Sequence, residues 1–280
     1  MILTDFAAPP PVQLRSASLS FGTRRLWQNL DLTVRPGEFM AVLGPNGSGK
    51  TSLIKVLLGL DPLSSGSALI AGHPPRRRSN AIGYIPQQKG FDPDLPIRGR
   101  DLVRLGIDGH RWGIGRPSRS RDARVATAID AVGATRFADA PIGRLSGGEQ
   151  QRLRIAQALT GNPALLLCDE PLLSLDLKHQ HDVVAALDRR RRDGDIAVLF
   201  VTHEINPVLP VADRVLYLVG ERWAVGAPEE ILTSEALSEL YQTRIDVVRV
   251  HGRVVILGES ETVGALTDSH HHDYSGDLLR

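Results

Sequence analysis

The order of apolar runs and helical patterns in this 280-residue chain predicts an α/β fold with a mainly parallel sheet. Three observations carry that expectation. Glu38 to Leu43, Ala164 to Cys168 and Ile196 to Val201 are short, nearly continuous apolar runs, as strands buried on both faces require. Thr51 to Leu60 and Leu177 to Arg192 have apolar residues at helical spacing between those runs. Alternation of strand and helix along a chain favours layers of helix on a parallel sheet.

The elements follow in order. Gln13 to Ser20 alternates apolar and polar residues like a strand, and Asp31 to Val34 continues similarly after a turn. The run ending at Leu43 meets glycine at once, and Asn46-Gly47 and Gly49 punctuate its join to the next helix. Arg98 to Asp139 reads as mostly helical, broken by a Gly, Pro, Ser and Arg-rich segment from Gly113 to Arg121. Beyond Pro228 the pattern changes to a helix through Glu229 to Tyr241. Two strands then follow, Val247 to Val250 and Arg253 to Leu257, flanking His251-Gly252 as a hairpin. From Glu259 onward the residues are mostly polar and a frayed end is expected. The resulting division is a flexible segment 1–11, a main domain 12–227, an appendage 228–258 and a tail 259–280. No internal repeat is present.

Composition narrows the class. With 42% hydrophobic and 23% charged residues the chain is an ordinary globular one, and a net charge of +1 gives no global pull toward nucleic acid or anionic lipid. One cysteine, Cys168, excludes an internal disulfide framework and suits a reducing compartment. No apolar stretch approaches the roughly 18 residues that span a bilayer. Met1 to Val12, with Asp5 and three consecutive prolines, lacks the basic and long apolar regions of a signal peptide. The expectation is a cytoplasmic protein that reaches a membrane only through a partner.

Gly44-Pro45-Asn46-Gly47-Ser48-Gly49-Lys50-Thr51 matches the phosphate loop G-x-x-x-x-G-K-[ST]. Glycines let backbone N–H groups curl around phosphates, and the following helix presents its positive end. Lys50 is expected at the terminal phosphates of ATP and the Thr51 hydroxyl on Mg²⁺. The apolar run Leu165 to Cys168 empties into Asp169 and Glu170. Carboxylates at the end of a buried strand need a site to hold them. Asp169 suits Mg²⁺ coordination, and Glu170 suits activation of the water that attacks the γ-phosphate. Each is also an ordinary strand-end acid when taken alone; the phosphate loop tips the balance.

Leu145-Ser146-Gly147-Gly148-Glu149-Gln150-Gln151-Arg152 opens a helical pattern that runs to Leu159. Ser146 and Glu149 have capping-box spacing, but two glycines in the first turn weaken a helix and need a reason, such as close approach to an anion. This segment resembles the signature of the ATP-binding cassette (ABC) transporter ATPases, and the resemblance extends from about Val12 to about Val219. Ile85-Pro86-Gln87 resembles the family's Q-loop, which implies that Gln87 touches Mg²⁺ and the attacking water. Ser174-Leu175-Asp176 resembles the D-loop that crosses to a second subunit. His203 resembles the switch histidine of the γ-phosphate. Phe21 stands where the family places an aromatic, more often tyrosine, on adenine.

What the resemblance implies is specific. The fold is a P-loop NTPase with a mainly parallel core sheet, an antiparallel β subdomain and a helical subdomain over about residues 91–160. Two subunits pack head to tail as a homodimer, so that Ser146, Gly147 and Gly148 complete the partner's ATP site. Glu170, His203, Gln87 and Lys50 carry hydrolysis. An integral membrane permease, whose coupling helix meets the Q-loop region, and an extracytoplasmic solute-binding protein complete the assembly, with the ATPase on the cytoplasmic face.

Asp94 to Gly106, with Gly109-His110-Arg111-Trp112, resembles the ATPases of zinc and manganese importers, as do the terminal helix and hairpin. Heme and siderophore importers share related patterns. His270, His271 and His272 offer a loose metal site or a solvated tail. Arg76 to Arg78 and Arg189 to Arg192 raise the alternative of a soluble ABC ATPase on nucleic acid or ribosomes. The second cassette and the long insertions of such proteins do not occur here, so no specific nucleic-acid partner is expected.

Overall fold

The computed structural model describes residues 8–87, 90–108, 118–161 and 163–258. The chain divides into two compact units, one ending at Ile231 and the other beginning at Leu232.

The first unit is built on a six-stranded sheet. β3 (Phe39–Leu43), β5 (Ile82–Ile85), β6 (Leu165–Asp169), β7 (Ala197–Val201), β8 (Arg214–Val219) and β9 (Arg222–Gly226) stand in the order β5-β6-β7-β3-β8-β9. The first five are parallel to their neighbours; β9 returns antiparallel on β8. β3, β6 and β7 are buried at every residue, which is why their sequences read as unbroken apolar runs. Parallel order brings the carboxyl ends of these five strands to one edge. Loops that follow a strand there meet one another, the general location of ligand sites in open α/β sheets.

A second, antiparallel sheet, β2-β1-β4, consists of β1 (Val12–Phe21), β2 (Arg24–Val34) and β4 (Ser65–Ile70). Its buried face, including Leu14, Leu19, Trp27 and Leu30, joins Leu53, Ile54 and Leu57 and the strand residues Val42, Leu167 and Leu199 in one apolar core. Trp223 Nε1 donates to the Gln28 carbonyl at 2.9 Å, tying β9 to β2.

α1 (Lys50–Leu57) is shorter than the Thr51 to Leu60 expected from periodicity. Gly59 takes φ +68°, its N–H bonds the Val56 carbonyl and the Leu60 N–H bonds the Lys55 carbonyl. This is a Schellman stop, and Leu58 and Leu60 belong to the turn beyond the helix rather than to its stripe.

Three further helices, α2 (Gly99–Asp108), α3 (Arg119–Ala131) and α4 (Gly147–Thr160), pack on one another through Val103, Val125, Ile129 and Leu153. Most of the break predicted at 113–121 falls outside the described residues. α5 (Leu177–Gly194) lies between β6 and β7 in sequence. No described helix is long and apolar enough to cross a membrane.

The predicted helix Glu229 to Tyr241 is two helices. α6 (Pro228–Ile231) belongs to the first unit and α7 (Ser234–Tyr241) to the second. Thr233 restarts the helix, its hydroxyl accepting from Ala236 N at 3.2 Å while its backbone is extended. Within the second unit, β10 (Ile245–Val250) and β11 (Arg253–Gly258) form the expected hairpin. His251 and Gly252 turn it with φ of +49° and +76°, both in the left-handed region that a two-residue turn requires.

Candidate nucleotide site

The loop Gly44–Gly49 leaves the carboxyl end of β3 and runs into α1. Gly44 has φ +142°, and a Cβ there would lie 2.1 Å from the Leu218 carbonyl oxygen, so the strand can exit only through glycine. Lys50 is buried, and its ammonium donates to the carbonyls of Gly44 at 2.6 Å and Pro45 at 2.9 Å. The charge thus sits inside the curl of the loop. Burial lowers the Lys50 pKa, while the nearby charges of Glu170 and Asp169 oppose that shift. Ser48 Oγ is buried without a hydrogen-bond partner. An orphaned hydroxyl in a loop of this shape fits an anion supplied from outside the chain.

A cleft of about 320 Å³ opens over this loop, lined among others by Phe21, Asn46, Gly47, Lys50, Thr51 and Glu170. Phe21 is 52% exposed at the end of β1, an aromatic face with no core to fill. Arg24 also lines the cleft and donates to the Gly47 carbonyl at 3.0 Å. Sequence reasoning passed over Arg24, because one arginine at the start of a strand carries no motif.

Asp169 closes β6 and is 4% exposed. Burial raises its pKa, the adjacent Glu170 raises it further, and Lys50 acts against both. Burial raises the pKa of Tyr84, in β5, and Asp169 raises it further. The next residue, Glu170, has φ +45°, a left-handed conformation that costs on the order of 1–3 kcal/mol in a non-glycine residue. Its N–H bonds the Val201 carbonyl at 2.9 Å, which holds the strained turn in place. Gln87 Nε2 lies 3.4 Å from Glu170 Oε2, and His203 Nδ1 lies 3.8 Å from the same oxygen. Glu170 is therefore the meeting point of three loops, those after β5, β6 and β7. A hydroxyl at Thr51, an amide at Gln87 and two acids at 169 and 170 make a set of hard oxygen donors, the chemistry of Mg²⁺.

Ser146 caps α4 with a complete capping box: Glu149 Oε2 accepts from Ser146 N and from Ser146 Oγ, each at 2.8 Å. Ser146, Gly147 and Gly148 do not line the cleft over the phosphate loop. A Cβ on Gly148 would come 3.1 Å from the Ser174 carbonyl oxygen, so one of the two unexplained glycines lies against the loop that ends at Asp176. Asp176 in turn caps α5, accepting from His179 N at 2.9 Å with His179 Nδ1 2.8 Å away. These contacts, the backbone bond first, lower its pKa. Gln180 Nε2 donates to Leu175 O at 3.0 Å and braces the same loop from inside the helix.

Among the described residues no group of three or more His, Cys, Asp or Glu side chains is placed to hold a metal ion. His270, His271 and His272 lie outside the described residues.

Residues 27–173 match the family model described as ABC transporter. The zinc import ATP-binding protein ZnuC of Yersinia pseudotuberculosis serotype I is 35% identical over 236 residues, covering 84% of this chain and 87% of that protein. Among solved structures, an inward-facing metal-chelate type ABC transporter superposes with a TM-score of 0.73 at 26% identity, over 90% of this chain and 99% of its own. An ATP-binding cassette in a dimeric post-hydrolysis state with ADP and phosphate gives 0.65 at 27% identity, over 76% and 97%.

Proposed function

Because the chain belongs to the ABC transporter family, we propose that it is the ATPase subunit that drives a zinc importer. It binds ATP and hydrolyses it, as the ATPases of that family do. The observation that carries the rest is the convergence of Gln87 and His203 on the Glu170 carboxylate beside the phosphate loop.

In this reading Phe21 stacks on adenine, the backbone of Gly44, Pro45, Asn46, Gly47, Ser48 and Gly49 wraps the phosphates, and Lys50 exchanges its two carbonyl partners for phosphate oxygens. Thr51, Gln87 and Asp169 would hold Mg²⁺, which when bound would supply positive charge to the phosphates. Glu170 takes the proton of the attacking water. Gln87 and His203 fix the direction of its carboxylate, and His203 reaches the γ-phosphate. Ser146, Gly147 and Gly148 act on the ATP of a second copy, since their own cleft does not include them. Asp176 shapes the crossing loop through its cap on α5.

Two copies thus enclose two ATP molecules, and loss of the γ-phosphate contact opens the pair. The solved dimeric cassette supports this arrangement. A separate integral permease holds the pair at the cytoplasmic face, and an extracytoplasmic solute-binding protein delivers the ion. The surface after Gln87 receives the permease. Zinc rests on the relative that is 35% identical. A second reading, a chelated metal, is favoured by the metal-chelate type neighbour at 26% identity.

Glu170→Gln tests the mechanism. Turnover is expected to fall about 10²–10⁴-fold, the usual contribution of a general base. ATP should then trap a dimer that sizing chromatography resolves, and a variant that stayed monomeric with ATP would sink the shared-site reading. For the cargo, a deletion strain should regain growth on added zinc. Rescue by a ferric chelate alone would favour the second reading.

A further inference from the structure

We propose that a cavity on the flank of the first unit, between α3, the end of α4 and α5, binds a phosphate-bearing ligand at a place separate from the phosphate loop. The cavity measures about 670 Å³, and its lining includes Arg124, Arg189, Arg190, Asp193, Ala128 and Ala186.

The run Arg189 to Arg192, which in sequence reads as one basic patch, is divided by the helix that carries it. Arg191 turns inward to Asp188 and Asp213, and Arg192 pairs with Asp188 at 2.8 Å. Arg189 and Arg190 face the cavity, where Arg124 joins them from α3. Arg190 Nη2 donates to the Gly161 carbonyl at 2.9 Å and its Nε to Leu159 O at 3.4 Å, while Arg124 Nη2 donates to Thr160 O. Cationic side chains commonly close the carbonyl end of a helix in this way, and that accounts for the positions of Arg124 and Arg190. It does not account for Arg189 or for the cavity.

Carbonyl partners orient a guanidinium without cancelling its charge. Arg124 and Arg190 are anchored within three consecutive carbonyls, and Arg124 depresses the Arg190 pKa after burial has done so. Asp193 is the one acid among the described residues that line the cavity. Three guanidinium groups against one carboxylate leave an excess of two positive charges in a concave, part-buried space, which is the complement of a phosphate dianion. Guanidinium supplies five N–H donors in a fixed fork that matches phosphate oxygens. The alanine side chains leave room beside the charges for a small apolar substituent. Both a soluble phosphate compound and an anionic lipid headgroup have this chemistry. The ligand would grip the end of α4, whose other end is the Ser146 turn.

Titration calorimetry of pyrophosphate into the full chain, with the phosphate loop already saturated by ADP, tests the site. One saturable equivalent per chain is expected, weakened at least tenfold in Arg189→Gln and further in Arg124→Gln/Arg189→Gln. Arg77→Gln, in the other arginine run, should leave it unchanged. Arg189 is exposed on α5, so its single variant decides the matter if the double one fails to fold. Sedimentation with phosphatidylglycerol vesicles, but not phosphatidylcholine vesicles, that depends on Arg189 would assign the ligand to a lipid surface. Pyrophosphate binding without such sedimentation would assign it to a soluble phosphate. Heats and sedimentation that are the same in wild type and Arg189→Gln, or absent from both, overturn the proposal.

Discussion

Asp169 shows what the site costs the fold. The carboxyl is 4% exposed and, on balance of burial and Glu170 against Lys50, prefers its proton more than an ordinary aspartate does. The sign follows from linkage. Above the ordinary value of 3.8 the folded chain holds a proton there that the unfolded chain has lost, so stability declines as pH rises through the raised pKa and stays lower beyond it. Asp169→Asn removes that charge. The nucleotide-free variant is therefore expected to melt above wild type at pH 7, with the gap narrowing as pH falls through the window. Hydrolysis should drop about 10–100-fold at least, the cost of losing even an outer-shell partner of a catalytic ion. Calorimetric melting at pH 5 and pH 7 checks the first half, and a variant less stable than wild type at pH 7 would contradict it. The left-handed φ of Glu170 belongs to the same account: a backbone conformation that costs stability, next to a buried acid that also does.

At the scale of elements, α4 begins with a structural device and a functional one in the same residues. Ser146→Ala and Glu149→Ala each break the capping box and should cost about 1 kcal/mol in denaturant titration. If Ser146 also serves a partner's ATP, only its variant should lose cooperative hydrolysis beyond that stability loss; equal losses in both would reduce Ser146 to a cap. The sequence made this helix legible because capping box, glycines and apolar spacing coincide. The phosphate loop and the acids after β6 were legible for a similar reason, since each is a motif that directly follows a short apolar run. β4, β5, β8 and β9 were not read as strands. β4 has three exposed and two half-buried residues, β5 is four residues long, and β9 is half-buried on an antiparallel edge, so none shows a clean period. β8 is apolar but follows a loop with no glycine signal. Arg24 and Gln180 escaped notice because they act on backbone carbonyls, contacts that depend on tertiary approach and leave no spacing to detect.

For the molecule as a whole, the amino ends of the sheet's strands must be held together at the edge opposite the nucleotide cleft. Arg191 does this from α5. Its guanidinium donates to the Gly37 carbonyl before β3 at 2.6 Å, to Asp213 before β8 at 2.8 Å and to Val211 O at 3.3 Å, and pairs with Asp188 at 2.7 Å. Asp213 in turn accepts from Phe39 N at 2.7 Å, so three segments far apart in sequence share one network. The arginine is 8% exposed, and removing one member of such a buried network typically costs about 3–5 kcal/mol, because the partners left behind lose their counter-charge. Asp188 keeps Arg192 and Asp213 is half-exposed, which places Arg191→Leu at the lower end of that range. A destabilisation of about 3 kcal/mol shifts the midpoint of a domain this size by roughly 6–12 °C. Asp213→Asn combined with Arg191→Leu should cost less than the sum of the two single changes, because both act on one network. Turnover per folded molecule should persist below the new midpoint, since the network follows neither β3 nor β6 into the nucleotide cleft. Loss of hydrolysis in Arg191→Leu at a temperature where circular dichroism shows it folded would mean that the amino edge also sets the geometry of Glu170.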